Sequence, residues 1–392
     1  MAMNIGEIAR LSGVSRSTVS YALSGKRPVS DETRQRIEKV IKDSDYRPNA
    51  AARALKEGRT RTLGLVIPPA GASLTHIQLE FVAGVVEAAA QADLDVLLSS
   101  SGGNHERSFE RLVSGRRVDG LILMEIRLHD LRVDRLGRTN VPFVGIGRTA
   151  NPEAMCWVDV DYAALIARCV HHLADLGHRQ IALINRSAEL IAAGYGPGLR
   201  GRQGFVDSVA ERGIAGIELA CADDAGAGQA TVERLLAEHP EVTAIATLNE
   251  AALPGIQHAL VEAGRSVPAD FSVAGVAARR WAEEFRPALT SADVPAAEMA
   301  TRAVELLIER IAAPQSPPRH LLLAPPISLR SSTAPAPPPA PDASFVLLPP
   351  DRWLRPLSCP APSARAALRD APHGEPRTAA SCLHAWPRHA RT

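Results

Sequence analysis

Apolar positions recur along this chain in two rhythms and then lose their rhythm. Over residues 4–44 they fall at helical spacing in short stretches broken by turn residues. Ile5, Ile8, Ala9 and Leu11 make one face; Val14, Val19 and Leu23 a second; Ile37, Val40 and Ile41 a third. From residue 62 to about 330, short β-branched runs alternate with longer amphipathic stretches. The runs predict strands over 62–67, 95–99, 120–124, 143–147, 180–185, 243–247 and 272–276. The amphipathic stretches predict helices over 79–92, 105–114, 162–176, 202–212, 230–238, 251–263 and 296–311. Continuous apolar strands alternating with helices imply parallel sheets covered on both faces, and two such sheets fit this length. In open sheets of this kind ligands sit at the C-terminal ends of the strands. The last 59 positions, 334–392, hold 13 of the 30 prolines and little periodicity. They read as a disordered tail, or as an extension past the natural frame. The expected division is 1–47, a connector over 48–61, a body over 62–330 and a tail over 331–392.

The first region carries specific turn chemistry. Asn4 and Glu7 have the spacing of a capping box, Gly13 stops the first helix, and Ser15 and Ser30 are placed to cap a second and a third. Helix, glycine turn, capped helix, third helix is the helix-turn-helix plan, whose second helix reads base edges in the major groove. With Val14, Val19 and Leu23 inward, Arg16, Ser17, Ser20 and Tyr21 face outward. Arginine bonds guanine bidentately and serine bonds any edge. The bland alternative, a small bundle packing only on protein, leaves outward Arg16, Lys26, Arg27, Arg34 and Lys42 unexplained.

Charge sharpens this picture. The net charge of +1 conceals 13 Lys and Arg against 7 Asp and Glu in residues 1–62, where all four lysines lie. A basic module on a near-neutral body is the footprint of phosphate contact. No run of about 18 uncharged apolar residues appears, so no membrane span is expected. Five dispersed cysteines without metal spacing fit reduced thiols in the cytoplasm. The sequence Gly194-Tyr195-Gly196-Pro197-Gly198 lacks the spacing and lysine of a phosphate loop, and the adjacent His171 and His172 have no third zinc ligand. No catalytic set, cofactor or metal is expected.

Three stretches resemble the lactose/galactose repressor family: Ile8-Ala9-Arg10-Leu11-Ser12-Gly13-Val14-Ser15-Arg16-Ser17-Thr18-Val19-Ser20-Tyr21-Ala22-Leu23, Val29-Ser30-Asp31-Glu32-Thr33-Arg34, and Tyr46-Arg47-Pro48-Asn49-Ala50-Ala51-Ala52-Arg53-Ala54-Leu55. The likeness is dense over residues 1–65 and looser to about 330. It implies a DNA-binding transcription regulator, a repressor by default, acting as a cytoplasmic homodimer on a pseudo-palindromic operator in double-stranded DNA. It places Arg16, Ser17 and Tyr21 at base-reading positions, with Tyr21 where relatives more often carry Arg. It places Thr18, Ser30, Asn49, Arg53 and Lys56 at the DNA backbone. Residues 48–57 resemble a hinge helix in which small Ala52 lets two chains approach and Leu55 wedges a minor-groove step. An ordinary linker helix is the alternative for Leu55.

For the body, the resemblance implies a two-lobed α/β/α sensing domain like a periplasmic binding protein, with an effector in the interlobe cleft. It is carried by Thr62-Leu63-Gly64-Leu65-Val66-Ile67-Pro68, Arg117-Val118-Asp119-Gly120-Leu121-Ile122-Leu123, Leu176-Gly177-His178-Arg179-Gln180-Ile181-Ala182 and Val267-Pro268-Ala269-Asp270-Phe271-Ser272-Val273-Ala274-Gly275. Departures fall at the ligand positions. Gly147 and Arg148 stand where an Asp is usual, Ala277 and Ala278 replace an acidic pair, and Arg200 is one place off. Arg148, Arg200, Asn249, Glu250, Arg279 and Trp281 are the candidate effector residues. Lost carboxylates and gained arginines lean toward a sugar phosphate or other anionic metabolite over a neutral sugar. Arg279 and Arg280 read equally well as a solvated pair, and Trp281 as core. A small-molecule-binding protein without DNA binding is the rival reading.

Overall fold

A computed structural model describes residues 4–24, 27–44, 58–67, 74–100 and 106–338. The expected hinge residues Asn49, Ala52, Arg53, Leu55 and Lys56, and Lys26, lie outside the described residues. The N-terminal module is three helices: α1 (Ile5–Ser12), α2 (Arg16–Ser24) and α3 (Asp31–Asp43). Ile8, Ala9, Val19 and Ile37 are buried where they meet, with Ile5, Val14, Ala22, Val40 and Ile41 packed around them. Leu11 and Leu23, expected inside, are 50% and 41% exposed. Helices this short bury one narrow stripe each, and Val19 fills that stripe for α2.

The body contains two six-stranded sheets. The first orders β1 (Thr62–Ile67), β2 (Asp95–Ser100), β3 (Gly120–Leu123), β4 (Phe143–Ile146), β5 (Cys156–Val160) and β11 (His320–Leu323) as β11-β5-β4-β3-β1-β2, all parallel. The second orders β6 (Gln180–Asn185), β7 (Ala215–Ala220), β8 (Ala244–Thr247), β9 (Ser272–Ala278), β10 (Thr290–Val294) and β12 (Ile327–Ser328) as β12-β10-β9-β8-β6-β7, with only β12 antiparallel. The chain crosses between lobes three times: after β5, after β10, and between β11 and β12. Helices α4 (His76–Gln91), α5 (Glu106–Ser114), α6 (Leu131–Leu136) and α13 (Ala296–Ala312) belong to the first lobe. The second lobe carries α7 (Tyr162–Asp175), α8 (Ala188–Ala192), α9 (Gly196–Arg212), α10 (Ala225–Glu238), α11 (Leu253–Glu262) and α12 (Arg279–Glu284).

All seven expected strands are present, and β1 and β6 match to the residue. Five strands were not expected. Three of them carry a charged residue mid-run: Asp159 in β5, Glu218 in β7 and Asp293 in β10. Each acid finds an arginine across the fold, so a polar position that breaks the apolar pattern is tolerated. The glycine-rich stretch at 194–198 opens α9 six residues before the expected start, with Pro197 in its first turn. The body also continues past residue 330. Ser332 is fully buried and donates to the Val273 carbonyl at 2.6 Å, and the Ala336 amide donates to Leu176 at 2.8 Å.

Helices α10 and α11 pack so closely that a methyl group at Gly255 overlaps the Ala225 carbonyl oxygen. That contact is backbone and cannot swing away. Gly255→Ala is expected to destabilise the second lobe by at least about 2 kcal/mol in urea denaturation, although alanine favours helices over glycine.

Candidate DNA-reading helix and interlobe cleft

The presentation of α2 is built by local hydrogen bonds. Asn4 Oδ1 accepts from the Gly6 and Glu7 amides at 2.8 and 3.2 Å, and Glu7 Oε2 accepts from the Asn4 amide at 3.1 Å, the expected capping box. Gly13 takes φ +69° and ends α1. Ser15 Oγ accepts from the Thr18 amide at 3.0 Å and starts α2. With Val19 inward, Arg16 and Ser17 are exposed on the opposite face, and Ser20 and Tyr21 are half-buried. Arg27 lies 5.2 Å from the Tyr21 ring centre. The guanidinium of Arg16 rests against Gly6. Thr18 Oγ1 bonds Ser15 Oγ at 2.8 Å, and Ser30 caps α3 through the Thr33 amide at 3.4 Å. Arg16, Ser17, Thr18 and Tyr21 thus stand on one short helix, with the α3 cap at Ser30.

The second site lies between the lobes, where residues at the C-terminal ends of both sheets face each other. From the first lobe come Thr75, Gln78, Glu125, Ile126, Gly147 and Asp159; from the second come Arg186, Tyr195, Pro197, Leu248, Glu250 and Val276. The enclosed space is about 50 Å³, room for water but far below the roughly 300–1,000 Å³ of a ligand pocket. The lobes are therefore closed on each other.

Side chains at three places hold that closure, beside a backbone bond from the Leu128 amide to the Gly194 carbonyl at 2.8 Å. Glu250 Oε1 accepts from the Ile77 amide at 2.7 Å, at the N-terminus of α4, while its Oε2 accepts from the Ala278 amide at 3.2 Å. A carboxylate there is favoured by the helix dipole and by free amides. The His76 ring stacks on Trp281 with centroids 3.9 Å apart. Arg200 Nη2 donates to the carbonyls of Arg148 and Thr149 at 3.0 and 3.2 Å.

The cleft floor is a buried polar chain. Arg186 grips Asp223 with two hydrogen bonds of 2.7 Å and donates to the Tyr195 hydroxyl at 3.2 Å. Burial pulls the Arg186 pKa down, but Tyr195, Asp223 and Glu125 more than offset it and raise it well above the usual value. Gln78 donates to Glu125 Oε1 at 3.1 Å. Glu125 holds φ +54°, a left-handed conformation that non-glycine residues rarely adopt and that clusters at ligand clamps. Burial, then the Glu125 carboxylate, pushes the Tyr195 phenol well above its ordinary range.

Of the six candidate effector residues, only Glu250 lines the cleft space. Arg148 pairs with Asp159 at 2.8 Å and lies 5.2 Å from the Trp157 ring centre. Arg200 bonds backbone, 3.9 Å from the same carboxylate. The Asn249 amide is spent on the Cys221 and Ala222 carbonyls, both at 3.0 Å. Arg279 is 69% exposed, 3.7 Å from Asp293, and Arg280 is an exposed partner of Glu284. Trp281 packs on the second-lobe core and on His76. The arginines that favoured an anionic effector are thus committed elsewhere, and the interior shows the carboxylates of Glu125, Asp159 and Glu250. Sequence reasoning passed over Glu125, Arg186, Tyr195 and Gln78.

Burial raises the Asp159 pKa to about 6, against the opposing pull of Arg148 and Arg200. A raised carboxylate favours the folded state at low pH. That contribution is complete below the unfolded value of about 3.9 and is lost as pH climbs to about 6. The stability of the protein relative to an Asp159→Asn variant is therefore expected to fall across that window and level off above it. Urea denaturation at a series of pH values checks this; a difference that rises with pH contradicts it.

Residues 4–49 match the family model of bacterial regulatory proteins of the lacI family, and residues 170–333 match the periplasmic binding protein-like domain. The HTH-type transcriptional regulator AglR of Rhizobium meliloti (strain 1021) is 31% identical over 347 residues, covering 86% of this chain and 96% of the relative. The solved transcriptional regulator CelR–cellobiose complex is similar with a TM-score of 0.64 at 28% identity, over 84% of this chain and 99% of that one. A Lac repressor dimer bound to operator and the anti-inducer ONPF shares the fold, with a TM-score of 0.76 at 23% identity, over 85% of this chain and 100% of that one. Among the described residues, no helix is long and apolar enough to cross a membrane. With a capped helix-turn-helix ahead of two parallel sheets that close on a cleft, this chain belongs to the LacI family and is a DNA-binding transcription regulator controlled by a small molecule.

Proposed function

We propose that this protein is a cytoplasmic repressor whose homodimer presents two α2 helices to an operator and whose effector is a neutral, hydroxyl-rich molecule, a sugar. In this reading Arg16, Ser17 and Tyr21 read bases, while Thr18, Ser30, Asn49, Arg53 and Lys56 hold the DNA backbone. Ala52 and Leu55 form the minor-groove hinge. The observation that carries the effector class is the cleft interior. The carboxylates of Glu125 and Glu250 and the Tyr195 hydroxyl line the interior with Asp159, which is paired with Arg148, and the one arginine among the lining residues is paired with Asp223. Carboxylates accept from sugar hydroxyls and repel phosphates. The cellobiose named with the similar CelR structure agrees with this class. The sugar is bound and released unchanged, because the cleft residues serve as hydrogen-bond partners rather than as a nucleophile and base pair.

The closed cleft supplies the switch. A sugar entering between the lobes competes with Glu250 for the Ile77 amide and with Gln78 for Glu125. It shifts the balance only through unequal affinity for the two lobe arrangements. A thermal-shift panel of neutral sugars and their phosphates tests the effector class: stabilisation by neutral sugars alone supports it, and stabilisation by phosphates alone rejects it. For the DNA side, Arg16→Ala is expected to weaken binding to upstream DNA by about 1–3 kcal/mol, roughly 5- to 150-fold, and to relax sequence preference. Anisotropy titrations against matched and scrambled duplexes measure both.

A further inference from the structure

In a parallel sheet the N-terminal ends of all strands lie together, and in the first lobe that end is where the connector from the DNA-binding module enters, at residues 58–61. The entry is fixed. Asp119 Oδ1 accepts from the Thr60 amide at 2.6 Å and from its hydroxyl at 2.9 Å, and Oδ2 accepts from the Arg61 amide at 2.9 Å. Arg61 pairs with Asp93 at 2.5 Å in the neighbouring loop. Around this clamp stand Arg59, Arg116, Arg117 and Arg138, all exposed. None of these four side chains has an ion-pair or hydrogen-bond partner among the described residues. Their loops are adjacent because β1, β3 and β4 are neighbours in the sheet. Among the described residues, Asp93 is occupied by Arg61 and Asp119 by connector amides, while Asp95, at the sheet edge, and Asp134, on α6, are exposed.

A second observation singles out the same end. Four described non-glycine residues adopt positive φ, and three of them, Arg61 at +57°, Asp93 at +58° and Arg116 at +46°, are in these loops. Glycine adopts that conformation freely and arginine does so at a cost, so the chain holds charge here against its local preference. Opposite charges on helix C-termini explain an arginine in a last turn. They do not explain four unpaired ones gathered about one chain entry.

Resting on the DNA-binding reading above, we infer that this end of the first lobe is a second DNA-contacting surface, in which Arg59, Arg116, Arg117 and Arg138 meet backbone phosphates flanking the bound site. The partner is duplex DNA because the surface is cationic, carries no sequence-reading geometry, and is continuous with the connector that leads to the reading helix. Such contacts lengthen the footprint and steepen the salt dependence without changing which sequence is chosen.

The test uses the full chain and two labelled mixed-sequence duplexes, one of about two helical turns and one twice as long, titrated by anisotropy at roughly 50 to 200 mM salt. In the variant Arg59→Gln, Arg116→Gln, Arg117→Gln, Arg138→Gln, the plot of log affinity against log salt is expected to become shallower by at least about 2, since each lost phosphate contact takes about 0.9. The advantage of the longer duplex should disappear with it. The corresponding four-lysine variant keeps both, which a merely structural role for arginine does not predict. Should the glutamine variant melt early, the pairs Arg59→Gln with Arg138→Gln, and Arg116→Gln with Arg117→Gln, each give part of the change. An unchanged slope beside intact wild-type binding overturns this inference alone. Absence of salt-dependent binding by the wild type overturns the DNA-binding reading with it.

Discussion

Arg330→Ala is expected to cost the body about 3–5 kcal/mol, the effect of leaving a buried charge without its partner. Arg330 and Asp293 are 11% and 7% exposed. Arg330 Nη2 donates to Asp293 Oδ2 at 2.8 Å, and Nη1 donates to Oδ1 at 3.1 Å, to Ser291 Oγ at 2.8 Å and to the Leu289 carbonyl at 2.9 Å. One guanidinium thus ties β10 to the segment after β12, beside two of the three crossings between lobes. Alanine leaves the carboxylate with the hydroxyls of Ser291 and Ser328 and the exposed guanidinium of Arg279, 3.7 Å away. Burial raises the Asp293 pKa, but the bonds from Arg330, Ser291 and Ser328 more than reverse that and hold it below the ordinary value. A depressed carboxylate stabilises the fold above its unfolded pKa, about 3.9, and that contribution is lost as pH falls through the folded value. The gap between wild type and variant should therefore be full near neutrality and shrink in acid. Urea denaturation at both conditions measures it. Arg302→Ala, at an exposed pair with Glu305, is the control and should leave stability close to that of the wild type. An Arg330 variant no weaker than that control would show that the crossing is held by other contacts.

The same pair shows how far the sequence is legible. Strands β1 and β6 are apolar runs bounded by polar residues and can be read directly, whereas β10, Thr-Ser-Ala-Asp-Val, looks like a loop. Its acid is acceptable only because an arginine 37 positions later folds back onto it, and nothing local announces that. Leu11 and Leu23 fail in the other direction: helical spacing offers them to the core, but Ile8, Val19 and Ile37 already fill it. The cap residues Asn4, Ser15 and Ser30 are legible because a cap needs only its own next three residues.

The cleft divides in the same way. Arg148, Arg200 and Arg279 stand out as arginines in unusual places, but a sequence does not display the carboxylates and carbonyls that occupy them. Glu125 and Arg186 were within reach. Each closely follows the C-terminal end of a predicted strand, where the geometry of open sheets places ligands. Only Glu250 was found, because it lies beside Asn249 in a recognisable pair, and its work turns out to be on the amides of Ile77 and Ala278.

Arg186→Ala is expected to lower affinity for the sugar effector by at least about 100-fold, near 3 kcal/mol, while operator binding without effector stays close to normal. Arg186 stands at the end of β6 and is the cation of the cleft floor, held in one rotamer by the fork on Asp223 and by Tyr195. Alanine removes the donor that a sugar oxygen would meet. It also frees Asp223, which is 24% exposed and can be reached by water, so the fold loses less than at Arg330. Arg186→Lys keeps the charge but not the two-pronged geometry, and an intermediate loss is expected. Arg279→Ala, at an exposed side chain away from the cleft floor, should leave affinity unchanged. Calorimetry with the sugar selected by the thermal panel separates these outcomes. Equal losses at Arg186 and Arg279 would place the effector at the cleft mouth; loss at Arg186 alone places it on the floor, where its binding must disturb the closure held by Glu250.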